Sequence, residues 1–102
     1  MSPIIVNLMN GDLLLKPTET KMFAGNIVKL KESCESVCWH EVKNITVDME
    51  DVSFIDSTGI GFLIGIQKKW GRHDTPLSLI NLSPSVRLVI ELLNVSSTLR
   101  VI

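Results

Sequence analysis

VDMEDVSFIDSTGIGFLIG, residues 47–65, runs a strand into a hydroxyl-bearing turn that opens a helix. Ile45, Val47 and Met49, then Val52, Phe54 and Ile55, have the apolar, β-branched and aromatic character of a buried strand edge. In the turn, Asp56-Ser57-Thr58-Gly59, short polar side chains can accept bonds from the first unpaired N–H groups of a helix. Either Ser57 or Thr58 is expected to be the cap, and a hydroxyl there would be exposed. Capping alone explains these residues without any further role.

A helix over about residues 58–72, projected at ~100° per residue, gathers Phe62, Leu63, Ile66 and Trp70 into one stripe expected to face a sheet. The opposite stripe carries Gly61, Gly65, Lys68 and Arg72, flanked by Ile60 and Ile64. Each glycine weakens a helix by about 1 kcal/mol relative to alanine, and a solvent face of a solitary domain offers no compensation. Close approach by another protein surface would offset that cost. The glycines could instead be merely tolerated, or the helix rolled until they touch the sheet.

The flanking sequence extends the pattern to an α/β domain. Strands are expected near residues 4–8 and 13–16, joined by the hairpin-sized connection Asn10-Gly11-Asp12, then a helix over about 20–35 and a strand near 45–49. After the helix that follows Ser57 come a strand at 77–82, a helix opened by Ser83 and Pro84, and a last strand near 99–102. Val86, Val89, Ile90 and Leu93 form the expected buried stripe of that third helix. Phe23, Ile27, Leu30 and Cys34 follow helical spacing in the first, so Cys34 reads as a small core residue with Cys38 one turn further on. With no repeat or low-complexity tract, residues 1–102 are expected to form a single domain.

Composition narrows the function classes. The 102 residues hold ten basic and eleven acidic side chains, net charge −1, which gives no global attraction for nucleic acid or anionic lipid. No apolar run approaches the roughly 20 residues needed to cross a bilayer, and the first residues lack a secretory pattern, so no membrane insertion and a cytoplasmic location are expected. Cys34, Cys38 and His40 do not make up the four ligands of structural zinc, and a disulfide one helical turn apart meets the wrong geometry. No metal and no cofactor are therefore expected. Lys68, Lys69, Arg72 and His73 gather at the end of the second helix, where they would complement its dipole; Lys68 and Arg72 could equally pair with acids on a partner.

The run FIDSTGIGFLIGIQKKW with the preceding ITVDMEDVS resembles the signature of the STAS domain, most closely that of bacterial anti-sigma-factor antagonists. LINLSPSVRLVIELL, residues 79–93, resembles the strand, turn and third helix of the same family. The resemblance implies a STAS-like fold: a mixed sheet of four to five strands with about three helices packed on it. It further implies that Ser57 is phosphorylated, with Thr58 the alternative acceptor, by a serine kinase that is also the anti-sigma factor, and restored by a PP2C-type phosphatase. The unmodified form would bind the anti-sigma factor and free a sigma factor, through Asp56, Thr58, Gly59, Ile60, Gly61, Ile64, Gly65, Lys68 and Arg72. Residues 15–20, LKPTET, differ from the glycine-acid-leucine-aspartate-like stretch of antagonists, and the sequence ends at Ile102 without a fourth helix.

Three other readings are open, one of them a phosphoacceptor role for Asp56, which lacks an evident upstream acidic pair at a strand end. A non-phosphorylated STAS interaction module, in a lipid transporter or a stress-signalling scaffold, would share the fold and the helix face. An enzyme using Ser57 as nucleophile would need a base; the turn lacks G-x-S-x-G, and neither His40 nor His73 is placed by sequence to serve, so no enzymatic activity is expected.

Overall fold

Asn10 and Gly11 both adopt left-handed backbone, φ 54° and 86°, closing a two-residue hairpin of the primed type that matches strand twist. This turn joins β1 (Ile4–Met9) to β2 (Asp12–Pro17), which pair antiparallel. The computed structural model describes residues 2–95 and 97–102. Within them follow β3 (Lys21–Met22), α1 (Ile27–Ser33), a 3-10 turn (Trp39–Glu41), β4 (Asn44–Asp48), β5 (Phe54–Ile55), α2 (Ser57–Trp70), β6 (Ser78–Ile80), α3 (Pro84–Leu92) and β7 (Arg100–Val101). The main sheet has the order β1-β2-β4-β6-β7, parallel from β2 onward, and β3 and β5 form a separate parallel pair.

Period-two burial shows which way the sheet faces. Leu13, Leu15, Ile45, Val47 and Leu79 are buried in one core with the helix residues Leu30, Leu63, Ile66 and Ile90. Their neighbours Leu14, Lys16, Thr46, Asp48, Ser78 and Ile80 are only half-buried on the opposite face. Helices therefore cover one side of the expected mixed sheet.

Several boundaries differ from the sequence reading for identifiable reasons. The first helix begins at Ile27 rather than near residue 20, because residues 21 and 22 are drawn into the β3–β5 pair. Asn26 then closes the intervening loop, its Oδ1 accepting from Phe23 N (3.1 Å) and its Nδ2 donating to the Lys21 carbonyl (2.7 Å). Phe23 thus lies before the helix. Cys34 is the C-cap, buried as expected, whereas Cys38 lies beyond the helix and is exposed. The strand run at 45–55 is broken after Asp48, whose side chain accepts from Glu50 N (3.0 Å) to turn the chain. In α3, Ser83 caps Val86 N (3.3 Å) and Pro84 opens the helix as expected, but Leu93 is 47% exposed. It falls at the C-cap, just before the left-handed Asn94 (φ 52°), and so leaves the buried stripe.

Candidate functional site

The N-terminus of α2 is held by Asp56 rather than by either hydroxyl, which corrects the expected cap. Asp56 Oδ1 accepts from Gly59 N (3.0 Å), and Oδ2 accepts from Ala24 N (3.3 Å) in the loop before α1. The Gly59 amide, with smaller help from the amides of Ala24 and Thr58, holds the Asp56 carboxyl below the usual carboxylate range despite some desolvation. Freed from capping, Ser57 is exposed as the first residue of α2, with Thr58 half-buried behind it.

The nine residues expected to form a contact face separate into two groups. Gly59 is buried, and a Cβ there would collide with the Met22 carbonyl oxygen and lie 2.8 Å from Ile55 Cγ1. This glycine permits close packing of the helix start on the β3–β5 pair and is buried rather than on the outward face. Ile60 is a correction of the same kind: at 3% exposure it belongs to the core, one side of the helix being rolled further inward than the projection implied. Gly61, Gly65 and Lys68 are exposed and Ile64 and Asp56 half-buried, on the accessible side of α2 with Ser57, whereas Arg72, though exposed, lies beyond the helix, which ends at Trp70 before an extended Gly71. A Cβ on Gly61 or Gly65 would meet nothing within 4 Å. The helix is therefore not rolled to bring these glycines against the sheet, and among the described residues no contact accounts for them.

Three features near this surface escaped the sequence reading. Gln67 is buried, its Oε1 accepting from Leu77 N (2.6 Å) and its Nε2 donating to the Arg72 carbonyl (3.1 Å), which anchors the end of α2 to the start of β6. Its place beside Leu63 and Ile66 on the apolar arc was the available signal. Phe23 and Phe54 meet edge to face, 6.4 Å between centroids, with the Lys21 ammonium 5.6 and 6.0 Å from the two rings. Trp70, expected to face the sheet, is 38% exposed and stacks on Trp39 at 5.1 Å and 9°. No local pattern links residues 39 and 70.

Elsewhere, burial pushes the Cys34 thiol up to about 11, so it stays protonated and unreactive at neutral pH. Among the described residues no three His, Cys, Asp or Glu side chains converge to hold a metal, and no helix is long and apolar enough to cross a membrane.

The turn that presents the exposed Ser57 hydroxyl thus leads directly into a helix with a bare glycine face. The STAS domain profile matches residues 6–102. The chain belongs to the STAS domain family. It is similar to the anti-sigma-B factor antagonist of Staphylococcus aureus, 29% identical over 59 residues that cover 58% of this chain and 55% of that protein. The match thus spans about half the length of the curated relative. Among solved structures, an anti-sigma factor antagonist from Mycobacterium paratuberculosis superposes with a TM-score of 0.81 at 18% identity, covering 96% of this chain and 82% of that one. The Bacillus cell fate determinant SpoIIAA in its phosphorylated form superposes at 0.67 and 16% identity, covering 97% and 90%. At these identities the superpositions establish a shared STAS fold.

Proposed function

We propose that this STAS domain is an anti-sigma-factor antagonist controlled by phosphorylation of Ser57. The unmodified form binds a serine-kinase anti-sigma factor and so releases a sigma factor; the kinase phosphorylates Ser57 and ends binding, and a PP2C-type phosphatase reverses the modification. The observation that carries this reading is the exposed Ser57 hydroxyl, left free because Asp56 does the capping and placed on one accessible surface with Gly61 and Gly65. The names of the similar proteins from Staphylococcus and Mycobacterium support it. The domain acts by binding rather than by catalysis.

A phosphoryl group would add about 1.5 to 2 negative charges beside a carboxylate that stays ionised. Lowering affinity by three decades requires about 4 kcal/mol, within what a poorly paired charge loses on burial in an interface. The test uses the anti-sigma kinase encoded in the same genome. With ATP it should phosphorylate the parent but not Ser57→Ala, by intact mass. By calorimetry, Ser57→Ala should bind like the parent and Ser57→Asp at least about tenfold more weakly. Equal affinity of both variants, or a phosphate located elsewhere, would remove the switch.

A further inference from the structure

On the flank of α2 that faces α1 lies a groove of about 460 Å³. Gly61 and Gly65 line it beside Phe62 and Ile66, and the Trp39–Trp70 stack lies alongside. Three properties specify an occupant. First, the two glycines make a notch four residues long, about 6 Å along the helix axis, into which no side chain of the described residues enters. Alanine would fit both positions and favour the helix, so the isolated fold has no use for the notch.

Second, the wall is assembled in advance. Trp39 Nε1 donates to the Cys34 carbonyl (3.0 Å), fixing the indole that stacks on Trp70, so docking there need not order these large side chains. Third, the groove has an excess of positive charge. Lys31 and Lys69 line it against a single acid, Glu35, and the Lys69 ammonium lies 5.2 Å from the Trp70 ring centroid. Among the described residues the ion pair is Lys16 with Glu50, so neither Lys31 nor Lys69 is held in a direct ion pair.

We propose that this groove receives a helix of the anti-sigma factor, which sets an apolar side chain into the Gly61–Gly65 notch and a carboxylate near Lys31 and Lys69. The inference rests on the antagonist reading and deepens it by naming the docking mode and the partner's charge. Ser57, Gly61 and Gly65 recur every fourth residue along one exposed arc, so Ser57 stands one turn from the notch. An acidic helix seated there is a partner that a phosphate on Ser57 repels.

The chain has two tryptophans, and both line the groove, so its intrinsic emission reports occupancy of this site. The full chain is titrated with the purified anti-sigma kinase of the same genome, its own tryptophans replaced by phenylalanine, while calorimetry records binding independently. Emission should change in parallel with the binding isotherm. Gly65→Leu should weaken binding by about 30-fold or more, as expected for blocking a central pocket, and Lys31→Glu or Lys69→Glu by roughly tenfold, with circular dichroism unchanged. Binding with unmoved emission, together with near-parent affinity of Gly65→Leu, overturns the groove and leaves the antagonist reading standing. Failure of the parent to bind at all overturns both. Emission that depends on the chain's own concentration without partner assigns the groove to self-association and overturns the proposal.

Discussion

Replacing Gly61 and Gly65 together by alanine should raise the stability of the domain while lowering its affinity for the partner. A Cβ at either position meets no atom within 4 Å, so the substitution introduces no clash. What remains is the helix preference of alanine and the reduced freedom of the unfolded chain, together about 0.4 to 1 kcal/mol per site. The sites are a turn apart and share no partner, so the effects should add to roughly 1 to 2 kcal/mol. For a domain of about this size each kcal/mol moves the unfolding midpoint by about 4 to 8 °C. Thermal unfolding followed by circular dichroism should therefore show a rise of about 5 °C or more. Gly59→Ala is the internal control, because its Cβ would strike the Met22 carbonyl and crowd Ile55. Relieving that overlap should cost about 1 to 3 kcal/mol and lower the midpoint. A fall in midpoint for the Gly61/Gly65 double variant, or a neutral Gly59→Ala, would refute the reasoning that separates a glycine needed for packing from glycines kept for contact.

Two further substitutions test the frame around Ser57. Asp56→Ala should be less stable than the parent near neutral pH. Since hydrogen bonding depresses the folded-state pKa of Asp56, its contribution is present above the ordinary carboxylate pKa of about 3.9 and is lost as pH falls through the lower folded value. Urea midpoints of the two proteins should converge only below about pH 3.9; a constant gap down to pH 2 would mean the charge is not what caps the helix. Gln67→Leu leaves the Leu77 N–H buried without its acceptor and should destabilise by about 1 to 3 kcal/mol in urea titrations; an unchanged midpoint would show the bond to be dispensable.

What could be read along the chain depended on the range of the interaction. The Asn10-Gly11 hairpin, the Ser83-Pro84 helix start and the strands near residues 13–16 and 45–49 are decided by residues a few positions apart, and each appears as expected. The start of α1 departs from the local pattern because residues 21 and 22 answer to Phe54 and Ile55, more than thirty positions away. Choosing Ser57 or Thr58 as cap failed for a related reason. All three candidates suit an N-cap, and the choice went to Asp56, whose second oxygen also engages Ala24 across the β3–α1 loop. Ile60 and Trp70 depart from an ideal projection of α2 because such a projection carries no information about what the helix rolls against. In the structure Ile60 faces the core while Trp70 finds Trp39.

That choice of cap bears on how the proposed switch would work. A bare helix N-terminus welcomes an anion, which would blunt the effect of a phosphate. Here Asp56 has already engaged the Gly59 amide, so part of that capacity is used before Ser57 is modified. The added phosphate would stand on exposed Ser57, next to an ionised carboxylate, with its charge directed outward. In the free domain water screens it: a unit charge pair at roughly 6 Å and bulk dielectric interacts by only about 0.7 kcal/mol. Docking removes that water. At an effective dielectric of about 20 the same pair reaches about 2.8 kcal/mol, so a phosphate of about 1.5 to 2 charges facing one partner carboxylate would oppose binding by roughly 4 to 6 kcal/mol. The fold is thus nearly indifferent to a modification that an acidic partner would register as three to four decades of affinity, about 1.4 kcal/mol each. Raising the ionic strength should leave this penalty largely intact for the docked pair, because buried charges are screened far less than exposed ones. A Ser57→Asp effect on affinity that vanished in 0.5 M salt would instead place the charge at a solvated rim, outside the contact.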